Sequence, residues 1–200
     1  MLRIHFNFDY KKATQALNYL ALKELGEINK MKALKLIHLA DRYHLRKYGR
    51  LITNDIYFAM NYGPVPSGVK DIAEGSEFLG EKEQEYSSQY LTSIDQHTLE
   101  SVIPVDDNVF SDSDIEALDF AWEKFGHLDQ FNLAELTHKY PEWARHKEAL
   151  KVDSRIQIYL EDFLNDPEAN IEKCFELDEE DRTARREQLA EMALITLLWS

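Results

Sequence analysis

Residues 29–49 read NKMKALKLIHLADRYHLRKYG, and this stretch decides the fold. Over Asn29–Leu45 the side chains of Leu34, Leu36, Ile37, Leu39 and Ala40 put apolar groups on nearly every side of a helix. That is the pattern of a central helix enclosed by other elements, not of a surface helix with one apolar stripe. Gly49 ends it. The rest of the chain has to pack around this rod. The fold expected is therefore mainly α: a compact multi-helix domain around a buried central helix, with a small β element of two or three strands.

Before that helix, Ala13, Ala16, Leu17, Leu20 and Ala21 form one stripe of a helix over Tyr10–Leu25, with Asp9 as N-cap and Gly26 as a left-handed stop. Lys11 and Lys12 lie at the positive end of its dipole, so the first turn frays or meets an acid. After the central helix, Ile56, Phe58 and Met60 alternate with Tyr57, Ala59 and Asn61, the period of a short strand within Thr53–Tyr62. Gly63-Pro64-Val65-Pro66 holds the chain extended, and Ser67 caps a short helix through Ile72 that stops near Gly75. Residues 76–92 are polar and poorly patterned. Leu99–Val105 is a second strand candidate, with Pro104 marking an edge.

The second half returns to helix. Ser113-Asp114-Ile115-Glu116 reads as a capping box ahead of Ile115, Leu118, Ala121, Trp122 and Phe125, closed by Gly126. Asn132-Leu133-Ala134-Glu135 opens another helix, stopped before Pro141. Ile156, Tyr159, Leu160, Phe163 and Leu164 mark a further one, ended by Pro167. Residues 161–181 hold ten acids and one base, a solvated stretch and hinge candidate. Glu179–Trp199 starts charged and ends apolar, so that end docks on the body, on a second copy or on a partner.

The chain has 200 residues and a hydrophobic fraction of 44%, enough for a core without staples. A single cysteine, Cys174, excludes an internal disulfide and a multi-cysteine zinc site. No apolar run approaches the roughly 18 residues of a membrane span, and the start MLRIHFNFDYKK lacks the form of a signal peptide. The expectation is a cytoplasmic protein without a membrane partner. Charge is segregated. Residues 1–50 carry eleven basic and four acidic side chains, a net of +7; residues 51–200 carry twelve and thirty-three, a net of −21; together they give −14. Either the basic quarter lies against the acidic remainder, or it meets an acidic surface elsewhere. The overall charge argues against nucleic acid as a partner.

Chemistry-bearing patterns are few. His38, Asp41 and His44 stand at i, i+3 and i+6, which turns the two imidazoles roughly 120° apart and makes three-point chelation awkward; no metal and no cofactor is expected. Cys174 sits among acids that raise a thiol's pKa. Neither a Gly-x-Ser-x-Gly elbow nor a His-Glu-x-x-His run is present, and the glycines form no phosphate loop. The basic residues Lys30, Lys32, Lys35, Arg42, Arg46, Lys47 and Arg50 could face phosphate, but a recognition helix needs an exposed polar face and this helix is apolar on most sides.

The run Lys32–Arg50 with its Ala40-Asp41-Arg42-Tyr43-His44-Leu45 turn and Tyr48-Gly49, followed by Ile52-Thr53-Asn54-Asp55 and Ala59-Met60-Asn61-Tyr62-Gly63-Pro64-Val65-Pro66-Ser67, resembles the Panacea antitoxin domain, also called SocA-like or GepA-like. Thr137-His138 and Trp143 resemble its downstream element. The resemblance spans 28–165, leaving 1–27 as a helical N-terminal extension and 166–200 as an acidic segment with a C-terminal helix. It implies a non-enzymatic antitoxin of a bacterial or phage toxin–antitoxin pair, with a role in phage defence. Such an antitoxin neutralises a toxin encoded beside it by direct binding; some such toxins act on translation. A homodimer or a heterotetramer with the toxin is expected. The alternatives are a DNA-binding regulator and a protease adaptor that delivers its partner for degradation.

Beside the resemblance, two sets of residues stand out. Lys35, Arg42 and Arg46, with Tyr43, Tyr48, Tyr57 and Tyr62, are candidates for contact with a partner, since tyrosine offers large area and a polar tip. Asp41, His44, Gly49, Asp55, Gly63, Pro64, Pro66, His138 and Trp143 are candidates for holding the motif in shape. Asp41, followed by Arg42 and with His44 a turn later, can fix the end of the central helix through hydrogen bonds and an ion pair.

Overall fold

A computed structural model describes residues 7–168 and 174–199, with side chains through 195. The central helix, α2 (Lys30–Tyr48), is preceded by α1 (Tyr10–Lys23) and β1 (Glu27–Asn29). It is followed by the hairpin β2 (Tyr57–Met60) and β3 (Gly63–Pro66), then α3 (Ser67–Glu74), α4 (Glu81–Tyr90), β4 (Leu91–Ser93) and β5 (Thr98–Ser101). The second half holds α5 (Asp112–Phe125), α6 (Gln130–Thr137), α7 (Pro141–Ala144), β6 (Arg155–Gln157) and α8 (Glu179–Trp199).

α2 begins where the Asn29 side chain accepts the Lys32 N–H at 3.2 Å, and ends at Gly49, whose φ of +78° is in the left-handed region. Almost all of it is buried, under α1, α3, α5, α6, β1 and β3. Leu36, Ile37, Leu39 and Ala40 have no exposed surface, and each large apolar side chain so buried contributes roughly 1.5–3 kcal/mol. α1 shares this core through Ala13, Ala16, Leu17, Leu20 and Ala21. Its Lys12 finds the acid that the dipole demands in Asp114, at 2.7 Å.

The β element is two antiparallel three-stranded sheets, in the orders β1-β5-β4 and β3-β2-β6. Met60 pairs with Gly63, so Asn61 and Tyr62 form a two-residue hairpin turn. Tyr57 and Ala59 are the inward face of β2, while Phe58 and Met60 stay half-buried.

Several local expectations are corrected. The polar stretch 76–92 contains α4 and the first residues of β4. The second strand ends at Ser101, before Pro104. The box that opens α5 is Ser111 with Asp114, two residues earlier than expected. α3 starts with Pro66 as N-cap residue, and the acceptor for its first N–H groups is Asp55, not Ser67. Ile156–Leu164 is not a helix: β6 adds to the hairpin sheet and Leu160–Leu164 is a 3-10 turn that buries Phe163 and Leu164. The acidic stretch is not wholly solvated either, since Asp162 is buried and Asp166 accepts from both Arg46 (2.5 Å) and Arg182 (2.6 Å). Its residues 169–173 lie outside the described ones, as do the side chains of 196–200 at the apolar end of α8.

α8 docks on the C-terminal end of α2. Arg185 donates to the Arg46 and Lys47 carbonyls at 3.2 and 2.5 Å, satisfying helix-end acceptors, and Gln188 covers Gly49 so closely that a Cβ there would lie 2.1 Å from its Oε1. Among the described residues no helix is long and apolar enough to cross a membrane.

Candidate functional site

The motif residues on α2 point inward and take their partners from distant parts of the chain. Glu142, on α7, is fully buried and binds two of them: Arg42 Nη1 donates to Oε2 at 2.6 Å, and His38 Nε2 lies 2.9 Å from Oε1. Burial works against the Glu142 carboxylate, yet Arg42 and His38 outweigh it and hold its pKa below the ordinary range. Burial lowers His38, so a neutral imidazole donates from Nε2 to the carboxylate. The Arg42 guanidinium also stacks over the Tyr140 ring at 4.6 Å and donates to the Asn165 carbonyl at 2.6 Å. The ion pair of Arg42 is thus with Glu142, a hundred residues away, and not with its neighbour Asp41.

Asp41 instead pins the loop that leaves α2. It accepts from the Ile52 N–H at 2.6 Å, the Tyr57 hydroxyl at 2.7 Å and the Thr53 hydroxyl at 3.3 Å, and burial pushes its carboxyl up to about 6. Asp55 holds the start of α3, accepting from the N–H groups of Ile56, Val69 and Gly68 at 2.7, 2.8 and 2.9 Å; burial pushes it up to about 7 against those three donors. His44 Nδ1 meets the Arg50 carbonyl at 2.7 Å, and its Nε2 meets Ser113 Oγ at 3.0 Å. His38, Asp41 and His44 therefore address three separate sets of partners.

The glycine–proline hairpin is fixed from below. Lys35 Nζ donates to the Pro64 carbonyl at 2.7 Å. Gly63 has φ +102°, and a Cβ there would lie 2.7 Å from Thr137 Oγ1 and 3.0 Å from Lys35 Nζ, so both conformation and space require glycine. The register puts Pro64 and Pro66 on the outer edge of the sheet, where the missing N–H removes any strand-pairing donor. Trp143 Nε1 donates to the Met60 carbonyl at 2.8 Å and stacks on His138 at 3.7 Å. The downstream residues Thr137, His138 and Trp143 thus close on the hairpin.

The residues expected at a partner surface are mostly inside. Lys35, Arg42, Arg46, Tyr43 and Tyr57 are buried. Arg46 donates to the carbonyls of Phe163, Leu164 and Phe175 and pairs with Asp166. Tyr43 stacks on Phe120, and with Lys47 and Tyr48 it converges on Glu116. Those three donors hold Glu116 down to about 2, with Lys47 contributing most. Tyr48 is half-buried, and Tyr62, at the hairpin tip, is open at 64% exposure. The acids that complete the cluster, Glu142, Glu116 and Asp166, escaped sequence reasoning because nothing separates them from thirty-four other acids in a chain that has thirty-seven. Cys174 is buried, and burial pushes its thiol up to about 11, so burial and not the flanking acids is the main cause.

The surface feature these elements build is a groove of about 690 Å³ between the N-terminal turns of α2, the hairpin tip and the start of α6. Met31, Leu34 and Val65 line it, and Tyr62 and Phe131 stand at its rim, Phe131 at 60% exposure. Two basic side chains in its wall, Lys30 and Lys35, bond only to backbone carbonyls among the described residues, those of Asp95 and Pro64.

A family model described as antitoxin SocA-like, Panacea domain, matches residues 34–144. The match covers the central helix, the hairpin and the Thr137–Trp143 element that closes on it. No curated protein and no solved structure matches the chain.

Proposed function

Because this chain belongs to the SocA-like Panacea antitoxin family over residues 34–144, we propose that it neutralises a protein toxin encoded beside it by binding that toxin directly, without chemistry of its own. The family match is the observation that carries this reading. The geometry supports it. The most distinctive polar residues are spent on the fold, so a partner meets what lies outside them. Lys12, Lys47, Arg42 and Arg46 of the first quarter are turned onto Asp114, Glu116, Glu142 and Asp166, and the exterior that remains is dominated by the acidic residues of 51–200. An acidic exterior complements a toxin that itself binds nucleic acid, for example one acting on translation. The buried setting of α2 speaks against its use as a DNA recognition helix.

The test is co-expression. The neighbouring reading frame is induced with and without this chain, and growth and co-purification are scored. A toxic neighbour that this chain renders harmless, in a complex of the two, is the expected result; a harmless neighbour, or rescue without a complex, overturns it. Substituting Glu168, Glu180 and Asp181, all exposed, by Lys tests the electrostatic part. Binding should weaken at least tenfold if the acidic exterior faces the toxin, and unchanged binding removes that part.

A further inference from the structure

Three locally unfavourable features meet where the end of α1 lies against the end of β5. The first is an apolar patch. Leu22, Val102 and Ile103 are exposed, and Leu25 is exposed at 99%. These residues are neighbours. The Leu25 N–H donates to the Leu22 carbonyl at 3.2 Å, the Ser101 N–H donates to the Gly26 carbonyl at 2.8 Å, and Asn18, one turn before Leu22, donates to the Ile103 carbonyl at 3.0 Å. Beside Leu22 opens a cleft of about 340 Å³, walled by Pro104 and Val105. Large aliphatic side chains gathered on one exposed surface mark a place that another molecule covers.

The second feature is the backbone of Leu25. Its φ of +67° lies in the left-handed region, where a side chain with a Cβ is strained and glycine is not. The third is a pair of like charges. Glu27 and Glu100 stand directly opposite each other in the β1–β5 register. The bonds that join Gly26 to Ser101 and Lys30 to His97 set the alternation, so 27 and 100 form the closely spaced, non-hydrogen-bonded kind of pair. They lie on the face opposite the buried Ile28 and Leu99. Like charges so placed destabilise a sheet, and neither glutamate meets a base among the described residues. Lys23, the base in the last turn of α1, is held by Asp119 at 2.9 Å.

One kind of occupant turns all three features to use. A segment with large apolar side chains covers the patch, gives the exposed Leu25 something to pack on, and brings a cation to the two glutamates. We propose that this α1–β5 surface is where the chain holds its toxin, by a basic segment of the toxin that also carries aliphatic or aromatic side chains. One such side chain enters the cleft beside Leu22, others cover Leu25 and Val102, and a lysine or arginine stands between Glu27 and Glu100. The identity of the partner rests on the antitoxin reading; the choice of surface rests on the geometry.

The test joins stability to binding. Leu25→Gly and Glu27→Lys are compared with the wild-type chain, by urea denaturation of the free protein and by isothermal titration with the neighbouring gene product. Each variant should raise the urea midpoint, since one relieves a left-handed leucine and the other sets a base opposite Glu100. Each should nevertheless weaken the complex at least tenfold, the opposed changes expected of a surface kept for binding. A merely structural role gives the gain in stability without the loss of affinity. A complex that either variant leaves at wild-type affinity overturns the proposal while the antitoxin reading stands. Weaker binding accompanied by a lower urea midpoint also overturns it, because the substitution then acts through the fold. A wild-type chain that forms no complex with its neighbour overturns both.

Discussion

Replacing Lys35 by Met should stabilise the protein, and by an amount that depends on pH. The amine is 1% exposed and, among the described residues, donates to the Pro64 carbonyl alone. Burial draws its pKa from the ordinary 10.5 down to about 7. At about 1.4 kcal/mol per pH unit, holding that charge inside costs about 5 kcal/mol below pH 7. At pH 9 the buried amine is neutral while the unfolded chain is still protonated, and the remaining cost is about 2 kcal/mol. The sign follows from proton counts. Between about pH 7 and 10.5 the unfolded state holds more protons than the folded one, so wild-type stability rises with pH across that window. Met keeps a straight chain of similar length and removes the charge, but leaves the Pro64 carbonyl short of a donor, a loss of about 1–3 kcal/mol. The variant should therefore be about 2–4 kcal/mol more stable than wild type at pH 6 and nearly equal to it at pH 9. The Lys35 charge also helps to lower His38 and His138, so its removal relieves both imidazoles, a contribution of the same sign that likewise fades at pH 9. Urea denaturation of the two chains at pH 6, 7.5 and 9 and constant ionic strength reads the gap directly. A gap that stays constant across the three pH values, or a variant less stable at pH 6, refutes the reasoning.

Glu142→Gln should be among the most damaging single changes, since it leaves Arg42 buried without a counter-charge; a loss of about 3–5 kcal/mol is expected, readable as a lower urea midpoint at an unchanged slope. Asp55→Ala removes the acceptor for two backbone N–H groups at the start of α3 and for that of Ile56, and should lower stability by about 2 kcal/mol at neutral pH, with hydrogen exchange accelerated first at Gly68 and Val69.

The central helix was legible because its cause is local. Apolar side chains on every face of residues 33–40, a side-chain acceptor at Asn29 and a left-handed glycine at Gly49 act within one element. The hairpin was half legible. Gly63-Pro64-Val65-Pro66 announced extended backbone, but its pairing with Tyr57–Met60 depends on Lys35, Thr137 and Trp143, which reach it from three other elements. The errors share one origin. Ser113–Glu116 and Ser111–Asp114 both satisfy the pattern of a capping box, and only tertiary contacts decide between them; Asp114 is the member that also receives Lys12 and Arg50. Phe163 and Leu164 have helical spacing, yet their burial against Tyr57 and Trp143 is achieved by a 3-10 turn. The tyrosines misled for a related reason. Their hydroxyls suit an interface and a buried acid equally well, and Tyr43 and Tyr57 end on Glu116 and Asp41.

Charge segregation along the chain has a consequence for how a partner meets the folded molecule. A net of +7 over the first fifty residues suggests a basic face, but five cations of the central motif, Lys32, Arg42, Arg46, Lys47 and Arg50, pair with acids of the same chain, four of them with acids that arrive sixty or more residues later. The basic quarter is therefore a template for folding its acidic complement, and the acids left over set the sign of the exterior. Lys30 and Lys35 are buried on backbone carbonyls instead and add little cationic surface. The acidic exterior acts at long range and is screened within about 10 Å at 0.1 M salt. Under the proposed function, a partner that meets this exterior should therefore bind more weakly as salt rises, read by titrating the complex with salt, and binding that does not respond to salt would place the partner elsewhere.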